Sequence, residues 1–184
     1  MAAKITTVWK KITPELEAEL VKFWTSNKAV GNDADPSKRA KQAVCIARDD
    51  KGQLVGVSTA HPRIVPRLRQ PMYFYRNFIA ESARGQKLSP AFLEATKKAL
   101  QDYNLGLSKP LCLGMIIELE NKAIAAHRSE AQWKEGFTFI GYSPKGLTLR
   151  VSYFDGVKLF APAPLKQAAR KRAAAAAPAA PAKA

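Results

Sequence analysis

Apolar residues along this chain fall into short segments whose spacing alternates between helical and extended periods. Thr13-Pro14-Glu15 opens the first, with a hydroxyl to cap, proline at the first helical position and an acid in the first turn. Leu16, Leu20, Phe23 and Trp24 recur at helical spacing, which predicts a helix fading near Asn27. The stretch NKAVGNDADPSKRAK that follows is turn-rich, with room for a short helix after Asp35-Pro36. QAVCIAR (42–48) reads as a strand, DDKG (49–52) as a hairpin turn and residues 53–60 as the returning strand. A proline-punctuated basic loop, HPRIVPRLRQP, is expected next, then a third strand over MYFYRNFIA (72–80).

Ser89-Pro90 starts a second helix reaching Tyr103, with Phe92, Ala95, Ala99 and Tyr103 on one face. Residues 111–117 are almost wholly apolar, as in a strand covered on both faces. A third helix is expected from about Asn121 to a glycine cap at Gly136. Residues 138–142 and 147–154 close the pattern as a hairpin around SPKG. Helix, hairpin, strand, helix, strand, helix, hairpin is a mixed α/β order, with an antiparallel front half and a strand–helix–strand crossover behind.

Composition narrows the class. Of 184 residues, 47% are hydrophobic and 24% charged, which are globular proportions and exclude a wholly disordered chain. The first fifteen residues lack the apolar core of a secretory signal, and Cys45 and Cys112 both sit inside apolar runs. They read as buried thiols of a reducing compartment, so a cytoplasmic protein is expected. After Pro162 the sequence turns to Ala, Pro and Lys, with too little apolar surface to offset its ordering entropy. The expected organisation is one domain over residues 1–160 and a disordered basic tail over 161–184.

The formal charge of +15 is unevenly placed. The tail carries Lys166, Arg170, Lys171, Arg172 and Lys183 without an acid. Residues 61–87 carry Arg63, Arg67, Arg69, Arg76, Arg84 and Lys87 against Glu81 alone. A phosphate-bearing partner fits both clusters, whether a nucleic acid or a phosphorylated cofactor.

One passage concentrates the chemistry. In MYFYRNFIAESARGQKLSPAFLEATKKAL a strand enters a turn holding Arg84-Gly85 and runs directly into an amphipathic helix. Such a junction aims the free amides of the first helical turn at one point, with the positive end of the helix dipole behind them. Gly85 relieves the turn, Arg84 and Lys87 add charge, and Ser89 caps or donates. The arrangement suits a pyrophosphate-sized anion.

The string from Ile79 to Ser89 resembles the R-G-x-G-x-G/A signature of the GNAT acyltransferase superfamily, and the element order over roughly residues 5–156 agrees. Leu113, Met115 and Ile117 alternate before Asn121, as in that family's strand and N-x-x-A helix, and Gly136-Phe137 match its G-F ending. The resemblance implies a GNAT-like fold, a central twisted, mostly antiparallel sheet flanked by helices. It implies acetyl-CoA or another acyl-CoA as cofactor, with no metal, and an amine acceptor attacking the thioester directly. It places the pantetheine arm along Phe78, Ile79 and Ala80. The pyrophosphate falls at Arg84, Gly85, Gln86, Lys87, Leu88 and Ser89, with Asn121 nearby. The sequence departs from the family at Lys87, where a second glycine is usual, and at Gln132-Trp133, where many members keep a tyrosine as general acid. Glu118 is then the favoured base, ahead of Glu120 and Glu81, and Tyr142 the candidate proton donor. A second reading is a GNAT-shaped domain without catalysis, serving as a binding or structural module that associates with nucleic acid through its basic tail. No membrane association is implied.

Overall fold

The computed structural model describes residues 3–31 and 35–164. Seven strands form one sheet, β1 (Lys4–Thr7), β2 (Ala43–Arg48), β3 (Leu54–Val65), β4 (Gln70–Ile79), β5 (Gly114–Glu118), β6 (Thr138–Tyr142) and β7 (Thr148–Tyr153). Their spatial order is β1-β2-β3-β4-β5-β7-β6. Every neighbouring pair is antiparallel except β4 and β5, which are parallel. That pair needs a crossover, and α3 (Leu88–Leu105) supplies it.

Alternation divides the side chains between two layers. Tyr73, Tyr75, Met115 and Ile117 join Phe92, Leu93 and Leu100 of α3 in the larger core. On the opposite face, α1 (Pro14–Ser26) and α2 (Pro36–Ala40) cover β2 and β3 through Leu20, Phe23, Trp24 and Ala40, packed on Ile46 and Val57. Farther along that face, Met72, Phe74, Ile116 and Val151 form a third cluster, against which Val157 and Phe160 of the C-terminal segment pack. The helix entries follow from the sequence. Thr13 accepts from the Leu16 amide at 3.3 Å, and Asp35 accepts from Ser37 and Lys38, each ahead of a proline at the helix start.

The structure corrects three expectations. First, the basic stretch 61–71 is not a loop: β3 continues to Val65 and β4 begins at Gln70, in unbroken register from Gly56↔Ile79 to Val65↔Gln70. Beyond Thr59, β3 has left β2 and is an edge, where the missing N–H of Pro62 costs no ladder bond. Second, α4 spans only Lys122–His127 and does not reach Gly136. The chain unwinds because Trp133 must enter the core, and Arg150 takes the carbonyls of Ala131 and Arg128 that a continuing helix would use itself. Gly136 (φ +79°) sits instead in the tight turn that lets Trp133 N–H donate to Phe137 O. Third, β1 was not foreseen. It is a short edge strand with no buried residue, so it lacks the alternation that marks a strand.

The described chain ends at 164, and its last part is pinned. Ala163 and Arg69 exchange hydrogen bonds, Ala163 N–H to Arg69 O at 2.9 Å and Arg69 Nε to Ala163 O at 2.6 Å. Gln70 and Phe160 do the same. The basic tail from Leu165 onward lies outside the described residues.

Candidate functional site

β4 and β5 pair over only three positions, Tyr73↔Met115, Phe74↔Ile116 and Tyr75↔Ile117. Past these residues β4 runs on to Ile79 while β5 turns aside after Glu118, so the sheet opens. A cleft of about 740 Å³ fills the gap. Its walls are Arg76 to Ile79 from β4, Ile117 to Asn121 from β5 and its exit, and the turn leading into α3. Main-chain N–H and C=O groups of β4 beyond Tyr75 therefore lack a strand partner on this side, an edge that an extended ligand can join.

The α3 end of the cleft is built by three short-range features. A single 3₁₀ turn (Glu81–Ala83) brings the chain off β4, and Gly85 adopts φ +84° with open space around it. Lys87 then takes a left-handed conformation (φ 55°, ψ 25°) at the N-cap of α3, where no side chain caps the helix. A lysine here carries a conformation normally left to glycine, at a cost of about 1 kcal/mol. Asn77 Nδ2 donates to Ser89 Oγ at 3.1 Å, tying the exposed edge of β4 to the first turn of α3. Uncapped amides, the helix dipole and the exposed Arg84 and Lys87 concentrate positive charge at this turn.

The α1–α2 side of the same cleft is different. Here β4 presents Arg76, β5 presents Glu118, the segment leaving it presents Glu120, and α2 contributes Arg39. Arg76 Nη2 lies 3.3 Å from Glu120 Oε1, while its Nε is buried without a hydrogen-bond partner. Glu118 is half-buried and makes no ion pair with a described residue. Burial, and then the nearby Arg76 and Arg63, hold the His61 imidazole below its ordinary pKa.

No protein-family model matches the sequence, and no curated protein matches it. Solved structures do. A phosphinothricin acetyltransferase of the GNAT superfamily from Sinorhizobium meliloti, in complex with AcCoA, superposes with a TM-score of 0.54 at 15% identity, covering 87% of this chain and 94% of that one. A histone acetyltransferase HPA2 and related acetyltransferase from Corynebacterium glutamicum gives 0.52 at 17% identity, over 86% and 99%. A GNAT-family acetyltransferase from Staphylococcus aureus Mu50 gives 0.53 at 14% identity, over 84% and 100%. The chain has the GNAT fold.

On that fold the residues singled out from sequence separate into three groups. Phe78, Ile79, Arg84, Gly85, Lys87, Leu88, Ser89, Glu118 and Asn121 all line the one cleft. Ala80 and Gln86 adjoin it without lining it; Ala80 is buried and its N–H donates to Val55 O. Tyr142 stands elsewhere, 61% exposed at the end of the outermost strand β6, with its ring against Phe139. Asn121 has a local structural task as well, since its Oδ1 accepts from the Ile124 N–H at the start of α4. Arg39 in the cleft wall was not foreseen, and Arg76 was read only as one charge of the basic stretch 61–87. Arg76 is the one charge inside an apolar strand, which was a usable signal; for Arg39, in a turn-rich stretch, there was none. No described helix is long and apolar enough to cross a membrane.

Proposed function

We propose that the protein is a CoA-dependent N-acyltransferase, most simply an acetyltransferase acting on a primary amine. The observation that carries this reading is the opening between β4 and β5, which begins at Tyr75 and Ile117 and ends at the uncapped start of α3. The residues present fit acyl-CoA: an unpaired strand edge for an amide-bearing arm, and an anion cradle at its end. The AcCoA complex of the Sinorhizobium meliloti structure supports the same assignment.

In this reading the β4 edge at Phe78 and Ile79 pairs with the pantetheine amides, and the Gly85–Ser89 turn holds the pyrophosphate. Bound acyl-CoA supplies an activated thioester carbonyl. Ile117 and Tyr75 close the floor of the cleft with apolar surface, which lowers the local dielectric around the reacting carbon. The amine enters from the α1–α2 side, where Glu118 accepts its proton, directly or through one water, as the C–N bond forms; the C–S bond breaks and the CoA thiolate leaves, taking its proton from solvent. Tyr142 takes no part in this assignment, because its ring lies outside the cleft. The alternative of a non-catalytic module acting through the basic tail concerns residues outside those described.

Amide hydrogen exchange tests the assignment. Excess CoA is expected to protect residues 77–80 and 85–89 together. Unchanged exchange at both segments contradicts it.

A further inference from the structure

The two ends of the cleft differ in kind. The α3 end is made of backbone amides, while the α1–α2 end presents guanidinium groups held by rings. Arg76 Cζ lies 5.0 Å from the centroid of Phe74, and Arg39 Cζ lies 5.5 Å from that of Trp24. A cation–π contact holds each guanidinium against a ring without using its N–H groups. Neither set of N–H groups is well used. Arg39 makes no ion pair or side-chain hydrogen bond among the described residues. Arg76 touches Glu120 through one terminal nitrogen only and has its Nε buried and unpartnered. Burial, followed by the neighbouring Arg76, lowers the Arg39 pKa despite an opposing contribution from Glu120, so the positive neighbour outweighs the negative one. Two guanidiniums lining one cleft repel each other, and an oxyanion bound there relieves the repulsion.

We infer that Arg39 and Arg76 form a subsite for an oxyanion carried by the amine acceptor. The inference rests on the acyltransferase reading for the word acceptor, and on these residues alone for the oxyanion. Arg76 and Glu118 are the first residues beyond the last paired positions, Tyr75↔Ile117, and both line the cleft, so one acceptor carrying an oxyanion and an amine meets them at the same mouth. Glu120 then serves as the internal counter-ion that keeps Arg76 partly satisfied until the acceptor binds. Arg63, 5.6 Å from the centroid of Phe74, adds to the positive field and is not required to touch the ligand.

NMR of the arginine Nε–H groups in the full chain, first saturated with CoA, tests this directly. Glycine and aminomethylphosphonate are titrated as oxyanion probes, with glycinamide as the neutral control. The expected result is a saturable shift of the Arg39 and Arg76 signals with at least one oxyanion and none with glycinamide. The stronger probe distinguishes a carboxylate from a phosphonate acceptor. Arg39→Gln is expected to weaken the probe about tenfold, as loss of one charge-assisted bond does. Arg76→Gln gives a second, independent variant on a different element. Absence of a shift with both oxyanions, or an equal shift with glycinamide, overturns the subsite even if CoA binds. Shifts that persist in a protein unable to bind CoA keep the subsite and overturn the acyltransferase reading.

Discussion

Asn77 and Ser89 are joined side chain to side chain, Nδ2 to Oγ at 3.1 Å, across the corner where β4 gives way to α3. One of them sits on the open strand edge and the other on the first turn of the helix, the two surfaces that the proposed cofactor must contact together. Asn77→Ala removes the tie while leaving both elements in place. Loss of one partly buried hydrogen bond is worth about 1 kcal/mol, so affinity for acetyl-CoA should fall roughly fivefold by calorimetry. An unchanged affinity would show that the corner is rigid without it.

Lys87→Gly separates backbone from charge. Glycine adopts φ 55° without strain, so the variant should gain about 1 kcal/mol in urea unfolding, less the extra freedom of its unfolded chain. The same variant should bind CoA more weakly, because a cation beside the pyrophosphate is lost. Tighter binding would instead mean that the lysine side chain obstructs the turn.

Glu118→Gln keeps the shape of the cleft and removes the proposed base. Turnover, once an acceptor is in hand, should fall by about a hundredfold or more, with the CoA dissociation constant unchanged. Equal turnover would assign the proton to water alone.

A stability prediction concerns Glu19. Arg48 donates to both of its carboxylate oxygens at 2.6 Å, and these hydrogen bonds hold the Glu19 pKa below the usual carboxylate range. A depressed folded pKa contributes stability above the unfolded pKa, and that contribution is lost as pH falls through the folded value. Urea midpoints should therefore decline below about pH 4.3 partly through this pair. Glu19→Gln should flatten that part of the decline; an identical pH profile would contradict the prediction.

Much of this was readable beforehand, for identifiable reasons. Helices α1 and α3 announced themselves through the prolines at positions 14 and 90 and through apolar stripes that do reach the core. The site turn was legible because Arg84-Gly85 interrupts two strongly patterned elements. What was missed depends on tertiary partners. Pro62 looks like a loop residue until β3 is seen to lie at an edge there. The stretch 128–136 has helical composition, yet the Trp133 ring meets the guanidiniums of Arg128 and Arg150, at 3.8 and 4.3 Å, and Arg150 comes from β7. No local pattern encodes a cation arriving from that distance in sequence.

Gly114 shows the same limit on a smaller scale. A Cβ there would overlap the carbonyl oxygen of Ser152 and lie 2.7 Å from the Cα of Tyr153, so β5 and β7 meet only because the residue has no side chain. Gly114→Ala should destabilise the protein by about 3 kcal/mol, since the obstacle is backbone and cannot swing aside. A loss below about 1 kcal/mol would mean that the two strands separate more freely than their register suggests.

The account stands on one interaction, that of the cleft with acyl-CoA. Isothermal titration of the full chain with acetyl-CoA measures it most directly. Saturable one-to-one binding at micromolar concentration, competed by CoA, is the predicted result. No detectable heat at millimolar acetyl-CoA would contradict the central claim.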